Sequence, residues 1–103
     1  MKESMRNHLI EIVVDPQTKD ITYRPAVYHA RAGTTLAWRA NGTFAIQFTG
    51  GTPLEKAGIH GQVEEVVESK LRSDARGIYH YAVAVAIGNE VFLDAGCPTI
   101  VIG

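Results

Sequence analysis

The sequence predicts an all-β protein: an antiparallel β-sandwich or Greek-key barrel of about 7–9 strands, with at most one or two short helical turns. Two observations carry this prediction. Short segments along most of the chain alternate between apolar and polar residues, as strands with one buried face do. Glycine, proline, asparagine and aspartate separate these segments at regular intervals, and these residues favour turns.

The first half of the chain contains five predicted strands. Asp15-Pro16 marks the first turn, and Pro25 ends the second strand because proline cannot donate a ladder hydrogen bond. Val27 is expected to face inward in the third strand. Asn41-Gly42 predicts a hairpin between the last two, since both residues tolerate positive φ. The five segments are 9–14, 21–24, 26–30, 34–39 and 43–48.

The second half is less regular. Residues 52–55, Thr-Pro-Leu-Glu, fit a capping box and predict a short helical turn. Residues 62–71 fit both a helix and a strand, and the high content of valine favours a strand. The predicted closing strands are 78–87, 91–94 and 99–102, with a turn at 88–90 between the first two.

Size and charge limit the functional classes. A chain of 103 residues is expected to form a single domain over 1–103, with 1–7 frayed. Ten basic and eleven acidic residues give a net charge of −1, which argues against nucleic acid as a partner. The sequence contains neither a signal peptide nor a long apolar span, so no membrane association is expected. With Cys97 as the single cysteine, a cytoplasmic location is expected.

Three short motifs resemble the cupredoxins. They are residues 33–38, Gly-Thr-Thr-Leu-Ala-Trp; 44–48, Phe-x-Ile-x-Phe; and 77–81, Gly-Ile-Tyr-x-Tyr. The resemblance covers roughly residues 9–103. Blue-copper cupredoxins bind copper through two histidines, a cysteine and a weak axial methionine. The resemblance places Phe44 at the first histidine and Val83 at the cysteine, and residues 84–90 contain neither histidine nor methionine. It therefore implies a cupredoxin-like domain without the copper site, with no cofactor.

An alternative function would need a site assembled from distant residues. His60, His80, Asp94 and Cys97 are the candidates for a metal-binding or redox centre, or for an enzyme. No two histidines have a metal-ligand spacing, and Cys97 has neither a second cysteine nor an identifiable base. The sequence therefore favours a non-catalytic role and predicts no catalytic residue.

One strand suggests a contact surface. In residues 82–87 alanines alternate with valines and isoleucine, so both faces of this strand are apolar. In a two-layer sandwich the chain itself can cover one face, and the other then meets a partner. We expect Ala82, Ala84, Ala86 and Phe92 to form an association surface, either for self-association or for another protein. The sequence does not indicate which.

Overall fold

The computed structural model describes residues 8–96 and 98–103, and this part of the chain contains ten strands and no helix. The expected fraying of residues 1–7 lies outside the described residues. The strands are β1 Leu9–Val14, β2 Ile21–Arg24, β3 Val27–Ala30, β4 Thr35–Ala40, β5 Thr43–Phe48, β6 Gly58–Gly61, β7 Val67–Lys70, β8 Gly77–Ile87, β9 Glu90–Asp94 and β10 Thr99–Ile102.

The predicted all-β fold is confirmed, and its strands form two sheets. The first has the order β2-β1-β4-β7, and the second has the order β3-β10-β8-β5-β6, with β9 also paired to β8. Two pairs, β1 with β4 and β3 with β10, are parallel. The sheets are therefore mixed rather than purely antiparallel, because the chain crosses between sheets before these strands pair. The count also exceeds the predicted 7–9, since β6 forms at Gly58–Gly61, for which no strand was predicted.

The core lies between the two sheets. The alternating large apolar residues of β1, β4 and β5 are buried: Ile10, Ile12, Val14, Leu36, Trp38, Phe44, Ile46 and Phe48. Trp38 of the first sheet meets Tyr81 of the second edge-to-face, with ring centroids 6.0 Å apart. In β3 the prediction was wrong, because Val27 faces solvent and Tyr28 is buried. A one-residue difference in register exchanges the two faces of a strand.

Asn41-Gly42 does not form the predicted hairpin. It carries the chain from β4 in one sheet to β5 in the other. The Asn41 side chain accepts a hydrogen bond from the Val14 backbone at 2.9 Å and donates one to the Val14 carbonyl at 2.8 Å. A Cβ atom at residue 42 would lie 2.4 Å from the Ala86 carbonyl oxygen. Glycine is therefore needed here for close approach of two strands rather than for a hairpin turn.

Of the two irregular segments of the second half, residues 62–71 contain β7 and residues 52–55 lie beside it. Residues 52–55 do not form the predicted helical turn: Leu54 bridges Leu71, and the Glu55 N–H donates to the Lys70 carbonyl. Both leucines are buried, so this extended segment packs its apolar residue into the core. The strand prediction for 62–71 is correct only for Val67–Lys70. Before it the chain turns, with Glu64 at φ 60°.

Candidate interaction surface

Strand β8 has two apolar faces. Tyr81, Val83 and Val85 point into the core and are fully buried. Ala82, Ala84 and Ala86 point to the other side and are only half-buried. One edge of β8 pairs with β5, and the other pairs with β10 and then β9. The backbone of β8 is therefore paired along both edges, while its alanines face outward.

The apolar character continues onto the neighbouring strands. Ala84 lies between Ala45 of β5 and Leu93 of β9, and Ala86 lies beside Val91. A groove of about 270 Å³ follows this surface. No outward position of β5, β8 or β9 is occupied by aspartate, glutamate, lysine or arginine. We call this surface the alanine face and define it by Ala45, Ala82, Ala84, Ala86, Val91 and Leu93.

Phe92 does not lie on the alanine face, so its assignment to the association surface was wrong. It points into the core and is 6% exposed, while Val91 and Leu93 are 63% and 76% exposed. The reason is the alternation of side chains along β9, which places residues 91 and 93 on one side and 92 on the other. The prediction took Phe92 for a contact residue because it is aromatic, but Phe92 lies on the core side of β9.

Contacts on the inner side fix the orientation of β9. The Tyr23 hydroxyl donates to Asp94 Oδ2 at 2.9 Å. Lys19 pairs with Glu90 and also lies over the Phe92 ring, 5.5 Å from its centroid. These contacts join β9 to β2 and the loop before β2. With this side anchored, Leu93 is held toward solvent.

The three described residues of the alternative site, His60, His80 and Asp94, do not come together. His60 pairs with Ala45, and the Nδ1 atom of His80 lies 3.1 Å from Thr99 Oγ1. His60 lies across β5 from Ala84, two strand spacings away, and His80 lies four residues from Ala84 along β8. By standard sheet spacings the two histidines are roughly 16 Å apart. Asp94 faces the opposite side of the sheet, toward Tyr23. Cys97 lies outside the described residues, which contain no group of three His, Cys, Asp or Glu side chains that could hold a metal ion.

The positions that the resemblance assigns to copper ligands do not fit a metal. Phe44 and Val83 are each 2% exposed, and neither side chain has an atom that coordinates copper. The Phe44 ring covers Gly61, where a Cβ atom would lie 2.6 Å from ring atom Cε1. Val83 pairs with Ile46 across the sheet. Apolar packing fills the space around both positions.

Tyr81 is a titratable side chain that lies in the core. Its hydroxyl accepts a hydrogen bond from Trp38 Nε1 at 3.4 Å, and its ring centroid lies 5.1 Å from that of Phe48. Burial raises the pKa of Tyr81 to about 12, with a smaller upward contribution from Asp94 and an opposing one from the Trp38 hydrogen bond. The hydroxyl is therefore neutral at physiological pH and belongs to the core.

A second polar contact was not anticipated from the sequence. His8 Nδ1 lies 3.0 Å from the Tyr28 hydroxyl, at the edge of a cleft of about 500 Å³ that Arg31 and Thr34 also line. Burial raises the pKa of Tyr28. Because His8 directly precedes β1 in one sheet and Tyr28 lies in β3 of the other, the contact helps to join the two sheets.

Known structures share this arrangement of strands. A purple cupredoxin from Nitrosopumilus maritimus matches with a TM-score of 0.55 and 14% identity, over 90% of this chain and 98% of that one. A Sinorhizobium pseudoazurin matches with a TM-score of 0.52 and 20% identity, over 90% of this chain and 72% of that one. The fold is cupredoxin-like. At these identities the likeness concerns the fold alone.

Sequence comparison adds no closer relationship. No protein-family model matches the chain, and no curated protein matches it. Within residues 8–96 and 98–103, no helix has the length and apolar character needed to cross a membrane.

Proposed function

We propose that this cupredoxin-like domain is a non-catalytic protein-interaction module and that the alanine face is its contact surface. The observation that carries the proposal is the exposure of large apolar side chains beside a groove floored by alanines. Leu93 is 76% exposed and Val91 63% exposed. Contiguous apolar surface of this kind is typical of binding sites on soluble proteins.

The outer side of the other sheet is a reference for an ordinary solvated surface. Arg24, Glu11 and Arg39 lie side by side on three neighbouring strands there. Arg39 forms an ion pair with Glu11, and its Nε atom lies 3.5 Å from Glu64 Oε1. Alternating charges of this type keep a sheet soluble and resist non-specific pairing. The alanine face has none of these charges, which supports a role in recognition.

The purple cupredoxin and pseudoazurin on the same fold suggest a copper or electron-transfer role as the competing function. Phe44 and Val83 stand where the resemblance places the histidine and cysteine ligands that such a role would need, and the described members of the alternative histidine site lie far apart or on opposite sides of a sheet. These observations favour the interaction module over a metal or redox protein. Fold likeness by itself does not assign function.

The proposed partner is a protein rather than nucleic acid or a membrane surface. Attraction to nucleic acid or to an anionic membrane surface depends mainly on lysine and arginine, and the outward positions of β5, β8 and β9 carry neither. We place the domain in the cytoplasm within this proposal, because a single cysteine agrees with a reducing compartment.

Site-specific photo-crosslinking tests the proposal whichever protein the partner is. A photoreactive amino acid is introduced in place of Leu93 in the protein expressed in its own host, and in place of Thr22 on the charged side as a control. Both positions are exposed, so folding is expected to be unaffected. We expect a discrete protein adduct from position 93 and none from position 22. No adduct from 93, or the same adducts from both positions, would contradict the proposal.

A further inference from the structure

We infer that the partner of the alanine face is a second copy of this chain, in a two-fold dimer in which Leu93 of each copy enters the groove of the other. The inference rests on the proposed function and names its partner. Three features of the surface support it: a projecting side chain next to a matching depression, the absence of like charges at its centre, and an area that fits a weak dimer.

The first feature is self-complementarity. A two-fold interface places the same surface patch on both subunits, so the patch must contain both members of each contact. The alanine face meets this condition. Leu93 projects from β9 with 76% of its surface exposed, and beside it the groove is lined by Ala45, Ala82 and Ala84.

The size of the groove fits the side chain. Its volume is about 270 Å³, several times the ~30 Å³ that a water molecule occupies in the liquid, so an isobutyl group can enter. Methyl groups line its floor, and they can contact an entering leucine without loss of polar hydration. A second copy supplies such a leucine at the corresponding position.

The second feature is the charge on the surface. In a two-fold interface, residues near the axis meet their own copies, so a charged residue there would meet an identical charge. The outward residues of β5, β8 and β9 include no aspartate, glutamate, lysine or arginine. Asp94 also lines the groove, but its carboxylate accepts a hydrogen bond from the Tyr23 hydroxyl on the other side of the sheet. Face-to-face packing of two identical copies therefore brings no like charges together at its centre.

The third feature is area. At its widest the sheet has four neighbouring strands, β9, β8, β5 and β6, which at ~4.8 Å spacing span roughly 19 Å. The 11 residues of β8 span roughly 36 Å at ~3.3 Å each. The other three strands are shorter, with 5, 6 and 4 residues in β9, β5 and β6, so at these spacings the four strands together cover roughly 400 Å². This is about half of the ~800 Å² per partner of standard complexes, so the dimer is expected to be weak.

Sedimentation analysis of the purified chain between 1 and about 500 µM, at ordinary ionic strength, is the first test. We expect a monomer–dimer equilibrium. Leu93→Ala removes both symmetric contacts and is expected to weaken dimerisation at least tenfold for each contact. Ala45→Phe fills the groove and is expected to weaken it similarly. Thr22→Glu, on the charged side, is the control and leaves the equilibrium unchanged. A wild-type chain that stays monomeric throughout would overturn the inference.

Mixing a variant that lacks the projecting side chain with one whose groove is filled tests the contact between Leu93 and the groove directly. The Leu93→Ala and Ala45→Phe variants are mixed in equal amounts and examined by native mass spectrometry. In the mixed dimer the intact Leu93 enters an open groove, and the shortened residue 93 meets the filled groove. We expect the heterodimer to exceed either homodimer at least tenfold, with both variants showing wild-type circular dichroism.

The outcomes separate this inference from the proposed function. Purified chain that remains monomeric while position 93 crosslinks to a different protein overturns the dimer and retains the interaction module. A mixture that forms no more heterodimer than the two homodimers overturns the Leu93–Ala45 contact.

Discussion

The two sides of β8 are both apolar, yet the chain covers only one of them. On the inner side, Tyr81 and Val85 pack against the first sheet and are fully buried. On the outer side, Ala84 lies beside an exposed Leu93. The inner side carries large residues that fill a core, whereas the outer side carries small residues that form a groove. The comparison agrees with our proposal that one strand serves folding through one face and recognition through the other.

Shortening one side chain on the inner side and one on the outer side of this sheet is expected to give the largest difference in stability. Phe44→Ala removes a buried ring that covers Gly61, and we expect a loss of about 3–5 kcal/mol in the free energy of unfolding. Leu93→Ala removes an exposed side chain and is expected to change it by less than ~0.5 kcal/mol. Chemical denaturation in dilute solution, where a weak dimer would dissociate, measures both. Equal losses would show that residue 93 is also part of the core.

The loss of stability at high pH tests whether the Tyr81 hydroxyl is buried on the inner side of β8. An unfolded tyrosine has a pKa of 10.0, and burial raises the pKa of Tyr81 to about 12. Below pH 10 both states keep the proton, so this group causes no pH dependence. From about pH 10 to 12 the unfolded state loses its proton first, and stability falls by roughly 3 kcal/mol.

Denaturation of wild type and Tyr81→Phe between pH 7 and 12 measures this effect. The variant loses the hydroxyl that accepts from Trp38, so it is expected to be slightly less stable at pH 7. The difference between the two proteins should then shrink or reverse above pH 10. A constant difference across the range would contradict a buried neutral Tyr81.

The two glycines of β6 allow the same substitution on the inner and the outer side of one strand, with a smaller expected effect on stability. Gly61 points inward, where an added Cβ atom would lie 2.6 Å from the Phe44 ring and 2.7 Å from Val67. Gly58 points outward, with the Ile46 carbonyl at 3.3 Å from its added Cβ. We expect Gly61→Ala to cost about 1–3 kcal/mol by overpacking and Gly58→Ala clearly less. Thermal unfolding measures both, and a larger cost at Gly58 would contradict the packing described for Phe44.

The charged outer side of the first sheet is expected to contribute least. Arg39 pairs with Glu11, and both side chains are about one-third exposed, 34% and 35%. Partly solvated ion pairs stabilise a protein by at most ~1 kcal/mol, so we expect Arg39→Gln to cost less than this and to leave association unchanged. Denaturation and sedimentation measure the two effects. A loss of dimer in this variant would indicate that the charged side, not the alanine face, mediates contact.

Most strands could be predicted from alternation, but the connections could not. Residues of β1 and β5 alternate clearly because one face is buried, whereas in β4 the intervening Ala37 is buried as well. The Asn41-Gly42 pair shows where this reasoning fails. Its chemistry suits a hairpin, but the Asn41 side chain bonds to Val14 and the residue 42 position lies against Ala86. Both contacts are distant in sequence, so no local pattern reveals them.

The candidate surface was predicted in outline only. The alanines of β8 were assigned to an outward face from their spacing, and they lie there. Phe92 was assigned by its aromatic character, although the alternation of β9 places Leu93 outward instead. The sheet pairing that aligns Leu93 with Ala84 and Ala45 is a long-range property. The groove between these residues therefore emerges only from the structure.

Hydroxyl-radical footprinting of Leu93 over a range of protein concentrations tests the central claim most directly. Val63 lies away from the alanine face and is 57% exposed, so it serves as the internal reference. We expect the oxidation rate of Leu93 relative to Val63 to fall as the concentration rises and dimers form. A ratio that stays constant from 1 to about 500 µM would contradict the claim that a second copy covers the alanine face.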